Sequence, residues 1–98
     1  MNITDRVAVC SRSFSKNKVL RRELMERYKF VKFNDMGRQI EGDELVNYLR
    51  GYDKAITALE RITDNVLSQL PELKVISKYG VGLDMVDISS INRHGIRL

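Results

Sequence analysis

Short apolar runs alternate along the chain with amphipathic segments of helical length, and turn residues mark each change of period. The apolar runs predict strands. These are RVAVC at 6–10, FVKF at 30–33, KAITAL at 54–59 and KVIS at 74–77, with IRL at 96–98 beginning a fifth. The first run shows almost no polar alternation, which is typical of a strand buried on both faces of a sheet.

The segments between these runs predict helices. In SKNKVLRRELMERY, residues 15–28, Leu20, Leu24 and Tyr28 are spaced four apart and share one face. The other predicted helices are GDELVNYL at 42–49, TDNVLSQL at 63–70 and ISSINRH at 88–94. The expected N-caps of the four helices are Ser15, Asp43, Thr63 and Asp87, and Gly95 suits the left-handed position that ends the last helix.

This alternation predicts an α/β fold, a flavodoxin-like open parallel sheet of about five strands in the order 2-1-3-4-5, with helices on both faces. The 98 residues suffice for one domain. Ligands of such sheets bind outside the carboxyl ends of the strands, where the strand order reverses. We therefore expect the functional site in three loops, at residues 11–15, 59–62 and 79–84.

Charge and cysteine content narrow the range of partners. The net charge of +4 comes from interspersed basic and acidic residues, which favours a small anion over nucleic acid. Cys10 is the only cysteine, so neither an internal disulfide nor a cysteine zinc site is expected, and it is interpreted as a core residue. The short apolar run near the N-terminus predicts neither a signal peptide nor a membrane span, and we expect a cytoplasmic protein.

Two glycines, Gly80 and Gly82, flank Val81 directly after the fourth predicted strand. Glycine permits positive φ angles and leaves neighbouring amides unshielded, so consecutive N–H groups can form a nest for a carboxylate or phosphate. A tight strand-to-helix turn explains the same spacing without any ligand. Met85 occupies the position of the third glycine of GxGxxG, so these residues do not form a dinucleotide-binding fingerprint.

The stretch LPELKVISKYGVGLDMVDISSINRHGIRL, residues 70–98, closely resembles the end of the N-terminal lobe of the D-isomer-specific 2-hydroxyacid dehydrogenases, the phosphoglycerate dehydrogenase-like family. The family pattern reads LKVI, a basic residue, GVGxDNVD, and then a short helix ending in GI. KAITALERITDNVLSQL, residues 54–70, also resembles the third strand of that lobe and its following helix. The chain departs from the pattern at Met85, where Asn is usual, and at Lys78, where Arg is common.

The resemblance implies a set of substrate-binding residues for a small 2-hydroxy or 2-oxo acid. By motif position, the backbone amides of Val81 and Gly82 would hold the carboxylate of this acid. Tyr79 and Gly80 open the same loop and are included in the predicted site. Leu59 and Glu60, after the third strand, would line the substrate cleft.

The resemblance also implies that the full-length family members are NAD-dependent oxidoreductases, with a Rossmann domain inserted into the substrate-binding lobe. The family's catalytic Arg, Glu and His have no match here, and His94 is expected to be a helix-end residue instead. We therefore expect residues 1–98 to be a lobe truncated before the NAD-binding domain, binding no NAD and inactive alone. Because a returning helix completes the family's lobe, we also expect an uncovered apolar face and self-association as a homo-oligomer.

The alternative is a free-standing flavodoxin-like module that binds a small anion or FMN. SRSFS at 11–15 brings hydroxyl groups to the start of a helix, where a phosphate could bind, although Ser13 or Ser15 could equally act as a helix cap. No glycine opens this loop, and few aromatic residues are available to sandwich a flavin. A phospho-acceptor receiver domain needs an acidic cluster here, where Ser11 and Arg12 stand.

Overall fold

The computed structural model describes residues 5–79 and 88–97. The strands are β1 (Arg6–Val9), β2 (Phe30–Lys32), β3 (Lys54–Thr57) and β4 (Val75–Lys78). The helices are α1 (Arg12–Lys16), α2 (Lys18–Arg27), α3 (Gly42–Leu49), α4 (Asp64–Leu67) and α5 (Ile88–Arg93). Each predicted strand and helix of the described part is present, with two differences. The first helix is divided in two, and the helix predicted at 63–70 is limited to Asp64–Leu67.

The four strands form one parallel sheet in the order β2-β1-β3-β4. A single parallel bridge joins Val75 to Arg97 and brings the chain after α5 beside β4. The Ile76 amide donates to the Arg97 carbonyl at 2.7 Å in the same place. The flavodoxin-like α/β fold is therefore confirmed, and this bridge is the described part of the expected fifth strand.

The central strand β1 is covered on both faces, as its apolar run predicts. Val7, Ala8 and Val9 are 1% exposed or less. The core that surrounds the sheet includes Ile40, Leu45, Leu49, Ile62, Leu67, Ile76 and Ile91. Removal of these side chains from water is the main favourable contribution to folding, and it fixes the helices against the strands whose loops form the site.

The segment predicted as one helix from residue 15 to 28 forms two helices, because Asn17 interrupts it. The Asn17 side-chain oxygen accepts hydrogen bonds from the amides of Val19 and Leu20, each at 3.1 Å, so Asn17 caps α2. The Asn17 amide donates to the Phe14 carbonyl, which ends α1. Asparagine favours such caps because its short side chain bonds nearby backbone amides.

The predicted cap of this first segment is also wrong. Ser11, rather than Ser13 or Ser15, caps α1, and its hydroxyl accepts from the Phe14 amide at 3.1 Å. Ser15 is buried inside the protein, and its hydroxyl accepts from the amide of Asn34 at 3.0 Å. The local pattern of serines could not distinguish these roles, because the partner of Ser15 comes from the loop after β2.

Helix α3 has the predicted bounds, but its predicted N-cap is wrong. Glu41 occupies the N-cap position and makes no side-chain capping bond, whereas Asp43 lies within the first turn. A carboxylate in this position still favours the positive end of the helix dipole. Asp43 therefore supports α3 electrostatically rather than as its cap.

Two other predicted helix ends are confirmed. Thr63 caps α4, and its hydroxyl accepts from the Val66 amide at 3.3 Å. Gly95 has a φ angle of 68°, the left-handed conformation that glycine adopts without steric cost. The predicted cap Asp87 lies outside the described residues.

Candidate functional site

A cleft of about 60 Å³ opens at the carboxyl ends of β1 and β3. Ser11, Arg12 and Ser13 line one wall of this cleft, and Ala58, Leu59 and Glu60 line the other. The strand order reverses at β1, since β2 lies on one side of it and β3 on the other. The cleft therefore occupies the position where open α/β sheets bind ligands, and two of the three predicted loops form it.

Leu59 and Glu60 lie in the same loop but differ in their exposure to solvent. The Leu59 side chain is 53% exposed, so its apolar surface is available at the cleft. Glu60 is 2% exposed, and its Oε1 accepts from the Ala58 amide at 2.7 Å. The Gln39 side-chain amide also donates to the Leu59 carbonyl at 3.0 Å. Glu60 thus holds the loop, while contact of either side chain with a substrate stays a prediction.

Tyr79, at the end of β4, is connected to the first loop through Phe14 of α1. Their rings meet edge to face, with centroids 5.4 Å apart and planes at 84°. The Tyr79 amide donates to the Thr57 carbonyl at 2.6 Å, so this residue is also attached to the end of β3. The loops after β1, β3 and β4 therefore converge. Residues 80–82, the predicted carboxylate nest, lie outside the described residues.

Cys10, which directly follows β1, is completely buried. Burial raises the pKa of Cys10, the charge of Glu60 raises it further, and the ammonium of Lys32 opposes them. The thiol is therefore neutral at ordinary pH and is no nucleophile. This confirms the interpretation of Cys10 as a core residue.

Lys32 is partly buried against two aromatic rings. Its ammonium lies 3.9 Å from the ring centroid of Tyr48 and 4.5 Å from that of Tyr52, and it donates to the Tyr48 carbonyl at 2.5 Å. Partial burial lowers the pKa of Lys32. Such aromatic surroundings stabilise a cation that has lost part of its hydration.

Asn34 is a buried residue that the sequence reasoning missed. Its side-chain amide donates to the carbonyls of Cys10 at 3.0 Å and Arg38 at 2.9 Å, and its oxygen accepts from the Met36 amide at 3.1 Å. Its own backbone amide donates to Ser15. Asn34 therefore fixes the loop after β2 against the end of β1 and against α1. The available signal was a polar residue directly after an apolar run.

His94 follows α5 directly, as predicted for a helix-end residue. Its Nε2 lies 3.0 Å from Oδ1 of Asp64, and the Arg93 guanidinium lies at the same distance from that oxygen. Arg93 and, second, His94 lower the pKa of the Asp64 carboxyl group through these hydrogen bonds. The cluster connects α5 to the start of α4 and does not contribute to the lining of the cleft.

In residues 5–79 and 88–97, no group of three His, Cys, Asp or Glu side chains is placed to hold a metal ion. None of the helices in this part of the chain has the length and hydrophobicity that crossing a bilayer requires.

The family model for the catalytic domain of the D-isomer specific 2-hydroxyacid dehydrogenases matches residues 7–98, which is nearly the whole chain. The chain belongs to this family. The match includes the cleft, Tyr79 and the Gly80–Gly82 segment.

Curated relatives of this dehydrogenase-family chain include two glyoxylate reductases. The protein from Thermococcus kodakarensis is 31% identical over 75 residues, which are 76% of this chain and 22% of that protein. The protein from Thermococcus gammatolerans is 37% identical over 60 residues, which are 60% of this chain and 18% of that protein. The chain thus spans about a fifth of the length of the curated relatives that it matches.

Solved structures of the same family share the fold. A Polaromonas protein assigned to the NAD-binding D-isomer specific 2-hydroxyacid dehydrogenases superposes with a TM-score of 0.85 at 23% identity, over 95% of this chain and 28% of that one. The NAD⁺-bound 3-phosphoglycerate dehydrogenase of Entamoeba histolytica gives 0.77 at 16% identity, over 95% of this chain and 31% of that one. At these identities the similarity establishes the fold alone.

The described part of this dehydrogenase-family chain does not fit a dinucleotide. The cleft of about 60 Å³ is far smaller than the roughly 300–1,000 Å³ of ordinary ligand and cofactor pockets. The sequence also carries Met85 in place of the third glycine of the fingerprint. No hydride-transfer step is therefore assigned to these residues.

Proposed function

We propose that this chain is the N-terminal substrate-binding lobe of an NAD-dependent D-2-hydroxyacid dehydrogenase, and that it binds the carboxylate of a small 2-hydroxy or 2-oxo acid. The observation that carries this proposal is the cleft between the loops after β1 and β3, beside which the end of β4 is attached. Tyr79, which immediately precedes Gly80, contacts Phe14 of α1, the helix whose first residues form one wall of the cleft. The substrate class follows from membership of the family.

In this proposal the amides of Val81 and Gly82 bind the carboxylate, and Leu59 supplies an apolar contact for the rest of the acid. Glu60 acts as a positioning residue, because its carboxylate holds the Ala58 amide and thereby the loop that carries Leu59. The small volume of the cleft suits a short acid. The glyoxylate reductases among the relatives are consistent with a ligand of this size.

The binding of D-lactate to the ¹⁵N-labelled chain, followed by NMR, tests this proposal. We expect saturable shifts of the amides at 58–60 and 79–83, and much smaller shifts with acetate, which lacks the 2-hydroxyl group. Shifts confined to the basic residues of α2, or no saturable shifts, would contradict the proposed site. Sodium chloride at equal ionic strength controls for screening.

A charge-introducing pair of variants sharpens this experiment. Leu59→Glu places a negative charge at the cleft, and we expect it to weaken D-lactate binding by about threefold or more through repulsion. Met36→Glu is the matched control, since Met36 is 46% exposed, similar to Leu59 at 53%, and does not line the cleft. Equal effects of the two variants would place the acid elsewhere.

We also propose that residues 1–98 hold the acid without reducing it. None of these residues matches the family's catalytic Arg, Glu and His, and the described part does not fit the cofactor. We expect the purified 98-residue chain to produce no NADH oxidation with pyruvate or glyoxylate. Turnover by this chain would contradict its assignment as a substrate-binding lobe.

Self-association through an uncovered apolar face is part of the same proposal. Helix α2 has no fully buried side chain, and Val19, Met25 and Phe30 are 45% to 53% exposed. Exposed apolar surface of this kind favours association. Sedimentation velocity should show a concentration-dependent increase in mass. A monomer at all concentrations would contradict this part of the proposal.

A further inference from the structure

The Arg12 side chain is a positive group on the cleft wall that the proposed carboxylate nest does not use. It lines the cleft and is only partly exposed. Among the described residues it makes no hydrogen bond or ion pair, whereas Arg21, Arg38 and Arg93 each pair with a carboxylate. The cleft therefore carries a guanidinium whose five N–H donors are available to a ligand.

The Ser11 groups on this wall are already hydrogen-bonded within α1. The Ser11 hydroxyl accepts from the Phe14 amide, and the Ser11 carbonyl accepts from the Ser15 amide. The Phe14 amide is therefore not available to an anion at the start of α1. The charged donor that this wall offers is the guanidinium of Arg12.

The opposite wall forms no ion pair with Arg12. Glu60 is the carboxylate among the lining residues, but it is 2% exposed and its Oε1 accepts from the Ala58 amide. The exposed residue of that wall is Leu59, which is apolar. The guanidinium of Arg12 is therefore not engaged by a carboxylate of the described residues that line the cleft.

Arg12 is connected to Tyr79 through α1. It lies two residues before Phe14, whose ring contacts that of Tyr79, and Gly80 follows Tyr79 directly in the sequence. The helix that carries Arg12 therefore contacts the residue that precedes the proposed carboxylate-binding segment.

We infer that Arg12 is a specificity-determining residue, which binds a second anionic group at the end of the acid away from the 2-hydroxyl carbon. This group is a carboxylate or a phosphate, because the planar guanidinium fork matches both in a bidentate manner. The inference rests on the proposed function and deepens it. The preferred substrate would be a doubly anionic 2-hydroxy or 2-oxo acid rather than a simple monocarboxylate.

NMR titration of the 98-residue chain with three acids tests this inference. D-Lactate carries one anionic group, D-malate adds a carboxylate, and D-3-phosphoglycerate adds a phosphate. We expect at least one of the two larger acids to bind about tenfold more tightly than D-lactate, the gain typical of a charge-assisted hydrogen bond. The two larger acids distinguish a carboxylate from a phosphate as the second group.

Variants of Arg12 test whether its side chain causes the tighter binding of the larger acids. Arg12→Gln should abolish the tenfold preference and weaken D-lactate binding much less than binding of the larger acids, and Arg12→Lys should retain part of the preference, since the charge remains but the fork is lost. Arg61→Gln is the matched control, because Arg61 is exposed in the loop after β3, does not line the cleft, and gives the same change in net charge.

The outcomes separate the two hypotheses. If D-lactate binds and the larger acids show no preference that depends on Arg12, the specificity inference is wrong and the proposed function stands. If Arg12→Gln and Arg61→Gln weaken the binding of the larger acids equally, the cause is the change in net charge. This result would also contradict the inference. If none of the acids binds, the proposed function fails and the role of Arg12 fails with it.

Discussion

The ring of Phe14 in α1 contacts the ring of Tyr79 after β4, with their centroids 5.4 Å apart. Their strands are not neighbours, because β3 lies between β1 and β4 in the sheet. This contact therefore connects the first and third loops across the end of β3, and it positions the residue from which the Gly80–Gly82 segment begins.

A double-mutant cycle measures this contact. We expect Phe14→Leu and Tyr79→Leu each to lower the free energy of unfolding in urea, with a coupling energy of about 1 kcal/mol, as is usual for edge-to-face pairs. Phe14→Leu should also weaken D-lactate binding, because Tyr79 would be less firmly held. Phe30→Leu, a change at a ring exposed on the edge of the sheet, serves as the control. Additive single effects would mean that the ring contact contributes nothing specific.

Glu60→Ala tests the anchoring of the Leu59 loop. This change leaves the Ala58 amide without its acceptor, and we expect a loss of about 1–3 kcal/mol in the free energy of unfolding. Glu60→Gln keeps an acceptor oxygen and should retain most of the stability. Glu72→Ala, at an exposed position, should change stability by less than about 0.5 kcal/mol. If Glu60→Gln lowers the free energy of unfolding as much as Glu60→Ala does, the charge of Glu60 and not its hydrogen bond stabilises the loop.

Asn34→Ala tests the buried connection between the loop after β2 and the end of β1. The variant loses both side-chain donors and the acceptor for the Met36 amide, so we expect destabilisation of about 2–3 kcal/mol in urea. Asn47→Ala, on the exposed face of α3, is the control, and alanine should be tolerated there. Similar stability of the two variants would contradict the role given to Asn34.

The cluster around Asp64 predicts a loss of stability in acid. The pKa of Asp64 is lowered in the folded chain, chiefly by Arg93, so the unfolded chain takes up a proton first as the pH falls. The stabilisation is present above the ordinary carboxyl pKa of about 3.9 and is lost as the pH falls through the lower folded value. We expect the melting temperature of Asp64→Asn to fall less steeply below about pH 4 than that of the unchanged chain.

The control for this pH series is Glu72→Gln, a change at an exposed carboxylate that forms no ion pair in the described part of the chain. It should leave the steepness of the acid transition as it is. The hydrogen bond to Arg38 lowers the pKa of Glu44, so Glu44 also contributes to the loss of stability in acid. Glu44 is unchanged in both variants, and its contribution therefore cancels in the comparison. Identical pH profiles for Asp64→Asn and the unchanged chain would show that the pairing with Arg93 and His94 does not stabilise the fold.

Features that depend on neighbouring residues could be predicted from the sequence. The strands follow from their apolar runs, the cap Thr63 from its position before a helix, and the left-handed Gly95 from its position after one. The parallel sheet followed from the alternation of elements and the handedness of their connections, and its strand order is that of the flavodoxin-like fold. The resemblance of residues 54–98 identified the family, and it indicated Leu59 and Glu60 as residues of the cleft.

Features that depend on distant partners could not be predicted in this way. Ser15 resembles a cap until the fold brings it to Asn34, and Glu60 resembles an accessible carboxylate until it folds back on Ala58. From the sequence, Arg12 served only as an argument against a receiver domain. Its place on the wall of the cleft depends on the fold.

The sequence by itself therefore determined the class of fold, the family and the loops in which a site can form, because hydrophobic period and turn chemistry are local. The tertiary structure decided which side chains of those loops line the cleft and which form hydrogen bonds within the protein instead. It did so because burial and hydrogen bonding select among chemically equivalent groups: Glu60 is turned inward to an amide, whereas Arg12 lines the cleft without a partner among the described residues.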